Sequence, residues 1–237
     1  MKIVLTEVLS LLSLIDTLPD TDLLLSKDFP EKKKQNFLIS RILLRLSLKS
    51  FYNIDEIPSF IFGSHGKPYF IKEPQLFFNL SHSGNYIGIA FSDNEMGLDI
   101  ECIKQRKNFG ALCEKVLSES ELKFLEALSD TDKLNLFTLL WTAREALLKD
   151  SGLGLVGLSA LSFDIKRRRA IAYDNCALTL HSYKVTDLLK SATSKAFFSV
   201  TLRKEEPIEF FTIENSKLKN LASPNLSAEF NVNYFSS

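Results

Sequence analysis

Hydrophobic and polar positions change their period several times along the chain, and each change marks an element. Past residue 30 the apolar positions Phe37, Leu38, Ile42, Leu44, Leu46 and Leu48 recur at roughly helical spacing, behind Asp28 and Pro30 as start signals and a basic opening turn. This predicts a helix. The pattern then shortens to runs that read as strands, "SFIFG", "LFFNLS", "NYIGIAFS" and "MGLDIE", set apart by Gly, Asn, Asp and Ser. "SESELKFLEAL" opens with Ser118 and Glu121 at capping-box spacing, and a longer helix is predicted from about Lys133 to Lys149. Strand-like runs return in "LSFDI", "ALTLHSYKV", "AFFSVTL" and "IEFFTI". Each half reads as helix followed by strands, which predicts an α+β fold of two related lobes, residues 1–103 and 104–237.

Composition narrows the function classes. A chain of 237 residues that is 45% hydrophobic can bury a sizeable core, so disorder is not expected. The 29 basic and 29 acidic residues cancel, which removes any bulk electrostatic reason to expect nucleic acid or a membrane surface as partner. The opening "MKIVLTEVLSLLSLIDTLP" is interrupted by Glu7 and Asp16 and lacks a small-residue cleavage site, so it reads as strand and turn, not as a signal peptide. No run approaches the roughly 20 apolar residues of a membrane helix. Cys102, Cys113 and Cys176 are odd in number, scattered and without CxxC spacing, which suits a reducing cytoplasm.

Four stretches carry candidate chemistry. In "GLDIE", Asp99 and Glu101 stand at i and i+2 on a strand and so project from one face. Two like charges there need a compensating cation or donors, and a hard divalent ion with oxygen ligands is one solution; a solvated strand end is the ordinary one. In "LLWTAREALLKD", Trp141, Glu145 and Lys149 fall near one helix face, which reads as an exposed ion pair or, with the chain's only tryptophan on the stripe, as a junction between lobes. "FNLSHSGNYIG" reads as a donor-rich turn whose Ser81, His82 and Ser83 could hold an anion. "GSHGKPYF" fixes Lys67 between Gly66 and Pro68. Other patterns fail on context. "GLGLVG" (152–157) follows a helix where a dinucleotide loop follows a strand, and it reads as a helix stop. "GSHGKP" and "LSHSG" miss the phosphate-loop and nucleophile-elbow patterns. His65, His82 and His181 lack zinc spacing, and "IKRRRAI" reads as a solvent-facing basic turn.

Taken together and in order, GKP, NLSHS, GLDIE and WTAREALLK resemble the 4′-phosphopantetheinyl transferases of the larger, surfactin-synthetase type, whose signatures are (I/V)G(I/V)D(I/L)E and WxxKEAxxK. The resemblance covers roughly residues 30 to 160. It implies a pseudo-twofold α+β monomer with coenzyme A in the cleft between the lobes. It further implies that Asp99, Glu101 and Glu145 ligate Mg²⁺ (Mn²⁺ as a substitute), with Glu145, Lys149 and His82 taking catalytic roles. Lys67, Pro68, Ser81, His82 and Lys149 would hold coenzyme A, with Arg41, Lys33 and Lys34 near its 3′-phosphate. The implied enzyme moves the phosphopantetheine arm onto a serine of an apo acyl or peptidyl carrier protein, releasing 3′,5′-ADP. Lys104, Arg106 and Lys107 beside Phe109, Leu112 and Val116 would supply a basic, apolar surface for the carrier. Arg144 stands where the motif usually has Lys, and Asn36 near where relatives often carry a basic residue. The rival readings are a Mg²⁺-dependent nucleotide pyrophosphohydrolase and a non-catalytic coenzyme A binding module, the latter favoured if Arg144 disables the site.

Overall fold

The computed structural model describes residues 1–63, 65–152, 158, 161–172, 178–189, 192 and 194–234. Along the chain lie β1 (Lys2–Glu7), α1 (Leu9–Leu12), a 3-10 turn (Ile15–Thr17), α2 (Asp20–Leu25), α3 (Glu31–Tyr52), β2 (Phe60–Phe62), β3 (Pro68–Phe70), β4 (Phe77–Ser83), β5 (Tyr86–Ser92) and β6 (Leu98–Cys102). There follow α4 (Phe109–Val116), α5 (Glu119–Glu126), α6 (Asp130–Ser151), β7 (Ser162–Asp164), β8 (Arg169–Ala172), β9 (Leu178–Lys184), α7 (Val185–Leu188), β10 (Ala196–Leu202), β11 (Glu209–Glu214), β12 (Lys217–Leu221) and β13 (Leu226–Tyr234). The α+β class follows from two separate sheets, each packed against a long helix. The first has the order β12-β11-β1-β5-β4 and the second β6-β10-β9-β13-β8-β7, while β2 and β3 form a small hairpin of their own. Each large sheet is antiparallel except for one parallel pair, β1 with β11 and β13 with β8.

Strand alternation sorts the apolar residues into three buried clusters. On β1, Val4 turns toward α3, joining Ile39, Leu43 and Phe91, while Ile3 and Leu5 turn the other way. These meet Ile100, Phe198 and Val200 of the second sheet in a core that the two sheets share. The far face of the second sheet buries Phe197, Leu180 and Phe163 against Leu140, Ala143 and Ala146 of α6. Among the described residues no helix is long and apolar enough to cross a membrane.

Strands cross the division at residue 103. β6 comes from before it yet edges the second sheet, and β11 and β12 come from after it yet extend the first. The cause is pairing between strands remote in sequence, Lys2 opposite Glu209 and Phe197 opposite Glu101. The strand read from "LFFNLS" runs on through His82 and Ser83, where a donor-rich turn was expected; the reversal falls at Gly84, whose φ is +56°. The segment after β1 forms short helices where a turn was expected. "GLGLVG" begins as a helix stop, with Gly152 in the left-handed region, and its remainder, like Cys176, lies outside the described residues.

The predicted capping box at Ser118 and Glu121 is present and does more than cap. Glu121 is buried, accepts from the Phe163 N–H at 2.9 Å and meets Arg144 Nη2 at 2.7 and 2.6 Å. Arg144 is wholly buried, its guanidinium 4.8 Å from the Phe163 ring centre. The pair therefore ties α5, α6 and β7 together in a medium where neither charge can be left alone. Arg144→Leu is expected to lower stability by about 3–5 kcal/mol, because it strands a buried carboxylate. Urea unfolding will read this, and the double variant Arg144→Leu/Glu121→Leu should recover part of the loss. A single variant as stable as the native chain would refute the assignment.

Candidate active site

One glycine brings the site together. A Cβ at Gly97, just before β6, would lie 1.9 Å from the Ala146 carbonyl oxygen and 2.6 Å from the Asp150 nitrogen, so only glycine lets α6 lie on the strand. Thr201 fixes the crossing by accepting from the Gly97 N–H at 2.8 Å. Along α6 from Phe137 to Asp150 every residue is buried except Trp141, Glu145 and Lys149, which are half-exposed at i, i+4 and i+8. That stripe looks across to Asp99 and Glu101, whose neighbours Leu98 and Ile100 point into the shared core.

β4 supplies the third wall, and its polar residues replace a backbone ladder. The N–H groups of Leu98, Ile100 and Cys102 donate to Asn79 Oδ1, Ser81 Oγ and Ser83 Oγ at 3.2, 3.2 and 3.1 Å. Each serine also donates to the carboxylate beside it, Ser81 to Asp99 Oδ1 at 2.9 Å and Ser83 to Glu101 Oε2 at 3.0 Å. Asn79, Ser81 and Ser83 are thereby buried, while Leu80 and His82 alternate toward the cavity.

That cavity measures about 840 Å³ and is lined by Ser81, His82, Asp99, Glu101, Trp141, Glu145 and Lys149, facing Lys32, Lys33, Asn36, Phe37 and Ser40 from the first turns of α3. Lys33 lies 4.3 Å over the Phe29 ring. A smaller cavity of about 280 Å³ adjoins it, sharing Leu80, Glu145 and Lys149, and holds Lys67 and Pro68. Lys67 is buried and donates to the Asp150 carbonyl at 2.8 Å; burial lowers its pKa against the pull of Glu95. The remaining two expected residues reach neither cavity. Arg41 is turned onto Asp22, which is fully buried and also accepts from Arg45 Nε at 2.9 Å. Lys34 is exposed. Residues 33, 36, 37 and 40 line the cavity, so helical spacing from Asn36 and Phe37 could have found Ser40, whereas Arg41, at i+4 from Phe37, is drawn away only by Asp22. Lys32 bore no signal beyond its place in the basic turn.

Charge is unevenly settled. Lys149 donates to Asp99 Oδ1 at 2.8 Å, Ser81 Oγ at 3.0 Å and the Leu98 carbonyl at 3.1 Å, so it bridges α6 to β6 and not to Glu145. Burial pushes the Asp99 carboxyl up, opposed by Lys149 and Ser81. Glu101 is held by Arg106 at 2.5 Å and by Lys104 at 3.4 Å. Glu145 has no hydrogen-bond or ion-pair partner among the described residues. Its carboxyl is pushed up by burial first and the charge of Asp99 second, with Lys149 pulling down and Glu101 adding to the rise. Among the described residues no three acidic, histidine or cysteine side chains close on a point as a metal site would, because Asp99 and Glu101 are turned onto cations. The donors nevertheless suit a hard divalent ion: carboxylate oxygens on one cavity wall, whose like charges add to the upward push on Asp99 and Glu145.

The expected carrier surface does not form as drawn. Val116 is buried, Phe109 and Leu112 pack on the α6 core, and Arg106 is turned inward, leaving Lys104 and Lys107 exposed. Arg144 lies outside both cavities, so its departure from the usual lysine does not touch the site.

Residues 95–193 match the family model of the 4′-phosphopantetheinyl transferase superfamily. The 4′-phosphopantetheinyl transferase AcpT of Escherichia coli (strain K12) is 36% identical over 121 residues, 51% of this chain and 59% of that protein. A 4′-phosphopantetheinyl transferase of Bacillus subtilis is 32% identical over 130 residues, 54% of this chain and 57% of that one. The 4′-phosphopantetheinyl transferase HetI of Nostoc sp. (strain PCC 7120) is 30% identical over 138 residues, 56% and 58%. The chain thus spans 57% to 59% of the length of these relatives.

Because folding raises the Glu145 carboxyl, its ionised form opposes folding, and that cost is present above the raised value and gone below the ordinary one. Glu145→Gln is therefore expected to raise the Tm near pH 7 in metal-free buffer. The gain should shrink as pH falls through the raised value and vanish below the ordinary glutamate value of about 4.3. A Tm difference that is the same at every pH would contradict this.

Proposed function

We propose that this chain, whose residues 95–193 belong to the 4′-phosphopantetheinyl transferase superfamily of enzymes, moves the phosphopantetheine arm of coenzyme A onto a serine of an apo carrier protein. The observation that carries the reading is the single cavity in which Asp99, Glu101, Glu145, Lys149 and His82 face the basic opening of α3. A carboxylate wall opposite a lysine wall is what an anionic substrate held through a divalent ion requires.

Asp99, Glu101 and Glu145 would hold Mg²⁺, which when bound neutralises the pyrophosphate and stabilises the departing 3′,5′-ADP. In the transfer the serine Oγ–phosphorus bond forms, the phosphorus–oxygen bond to 3′,5′-ADP breaks, and the serine proton passes to a base. Glu145 suits that base, since it is half-buried, unpaired and shifted toward the proton. Lys149 and His82 would share the charge that develops on the phosphoryl oxygens, and Lys32 and Lys33 would meet the phosphate at the nucleoside end. Lys67, in the adjoining cavity, would hold the donor from the side of Glu145. Arg144 lines neither cavity, which supports the catalytic reading over a non-catalytic binding module.

The test is intact-protein mass spectrometry of an apo acyl carrier protein incubated with this chain, coenzyme A and Mg²⁺. One phosphopantetheine should be gained, and the gain should be lost with EDTA and with a carrier lacking its serine. Glu145→Gln should lower kcat by about 10²- to 10⁴-fold. Cleavage of coenzyme A without a carrier would favour the pyrophosphohydrolase, and full-rate transfer by Glu145→Gln would remove Glu145 as base.

A further inference from the structure

Among the described residues Arg106 is the one cation bonded to a cavity carboxylate that sits on an aromatic shelf. Its Nη2 meets Glu101 Oε1 at 2.5 Å, while its guanidinium carbon lies 5.4 Å from the Trp141 ring centre and 5.8 Å from that of Phe137. Its Nε is buried without a hydrogen-bond partner. Lys104 approaches the same Glu101 oxygen at 3.4 Å, but from a side chain 57% exposed, where water screens the pair. The other oxygen of Glu101 is held separately by Ser83.

Two roles are thus divided between two residues. Ser83 fixes where Glu101 stands, because it is bonded both to that carboxylate and to the N–H of Cys102 on the same strand. Arg106 supplies charge. A guanidinium with aromatic faces to rest on does not need Glu101 to stay in place, since cation–π contact persists when the carboxylate bond is broken.

We propose that Arg106 is a stand-in cation: it neutralises Glu101 in the ion-free protein and competes with the divalent ion for that carboxylate. The inference rests on the reading of Asp99, Glu101 and Glu145 as the ion's ligands. It assigns Arg106 as a positioning residue that sets the ion concentration at which the site fills, and it explains why Glu101 is fully engaged in a cavity whose chemistry calls for a free acid.

The experiment is direct binding of Mn²⁺ alone, read from the loss of the free-ion electron paramagnetic resonance signal, in the native chain, Arg106→Gln, Arg106→Lys, Ser83→Ala and Glu101→Gln. Removing one positive charge beside a doubly charged ion should make Arg106→Gln bind roughly three- to tenfold more tightly. Arg106→Lys should stay near the native value, Ser83→Ala should bind more weakly and Glu101→Gln most weakly. A purely structural role for Arg106 cannot tighten binding, so equal or weaker binding by Arg106→Gln overturns the proposal. In the native chain Mg²⁺ should also shift the emission of Trp141, the only tryptophan. This second reading stands if Arg106→Gln fails to fold, and an emission unmoved at saturating Mg²⁺ would then overturn the proposal. Absence of Mn²⁺ binding in the native chain and every variant would instead sink the divalent-ion reading itself.

Discussion

The site depends on a backbone meeting a backbone. At Gly97 the strand that carries Asp99 and Glu101 touches the helix that carries Glu145 and Lys149, at a distance no side chain would permit. Ala143 and Ala146, both fully buried, keep the helix side of that contact equally small. Lys149 can reach the Leu98 carbonyl and the Asp99 carboxylate only because the crossing is this close. At the end of α6, Asp150 accepts from Arg203 Nη2 at 3.0 Å and, through its carbonyl, from Lys67, which anchors the last turn beside the smaller cavity. Displacing the helix by the width of one methyl group would separate groups that now share one cavity.

Such closeness confines three carboxylates in one half-buried space, and the surroundings compensate each one differently. Asp99, the most buried, has an ammonium and a hydroxyl. Glu101 has a guanidinium, an ammonium and a hydroxyl. Glu145 has no hydrogen-bond or ion-pair partner among the described residues, and burial first and the charge of Asp99 second push its carboxyl up. Repulsion among like charges is thus opposed by a bonded cation where residues are fixed on the strand and left without one on the helix. A resting site arranged this way costs stability at Glu145, a cost that an arriving cation would relieve.

Much of this was legible in the sequence, and the part that was not has a physical reason. Period 2 put Asp99 and Glu101 on one face, and period 3.6 put Trp141, Glu145 and Lys149 on one stripe, because both are local regularities. The tryptophan on that stripe was the signal that it faces another element, and the stripe lines the cavity that α3 also walls. "FNLSHS" misled because Asn and Ser usually mark turns, whereas here their side chains stand in for a ladder that β4 and β6 do not make through their backbones. Arg41 misled because its partner Asp22 lies on α2, a helix of six residues too short to leave a periodic trace. The pairing of β1 with β11 leaves no local mark at all, since register across two hundred residues is set by the folded core.

Adjacent residues of α6 show how a motif divides between chemistry and architecture. Arg144 and Glu145 are neighbours in the chain, but a helix turns them about 100° apart, one into the α5 interface and the other into the cavity. A substitution that looks alarming beside an acid in sequence is therefore a matter of core packing in space. The same separation runs through the whole molecule. Asp99, Glu101, Arg106, Glu145 and Lys149 all lie within the matched segment 95–193, whereas His82, Lys67 and the basic face of α3 lie outside it. The carboxylate wall lies in the segment that matches the family model, and the wall opposite lies in the part that the match does not cover. Lys32, Lys33, Asn36 and Ser40 thus line the cavity from a segment that the family match leaves free to differ.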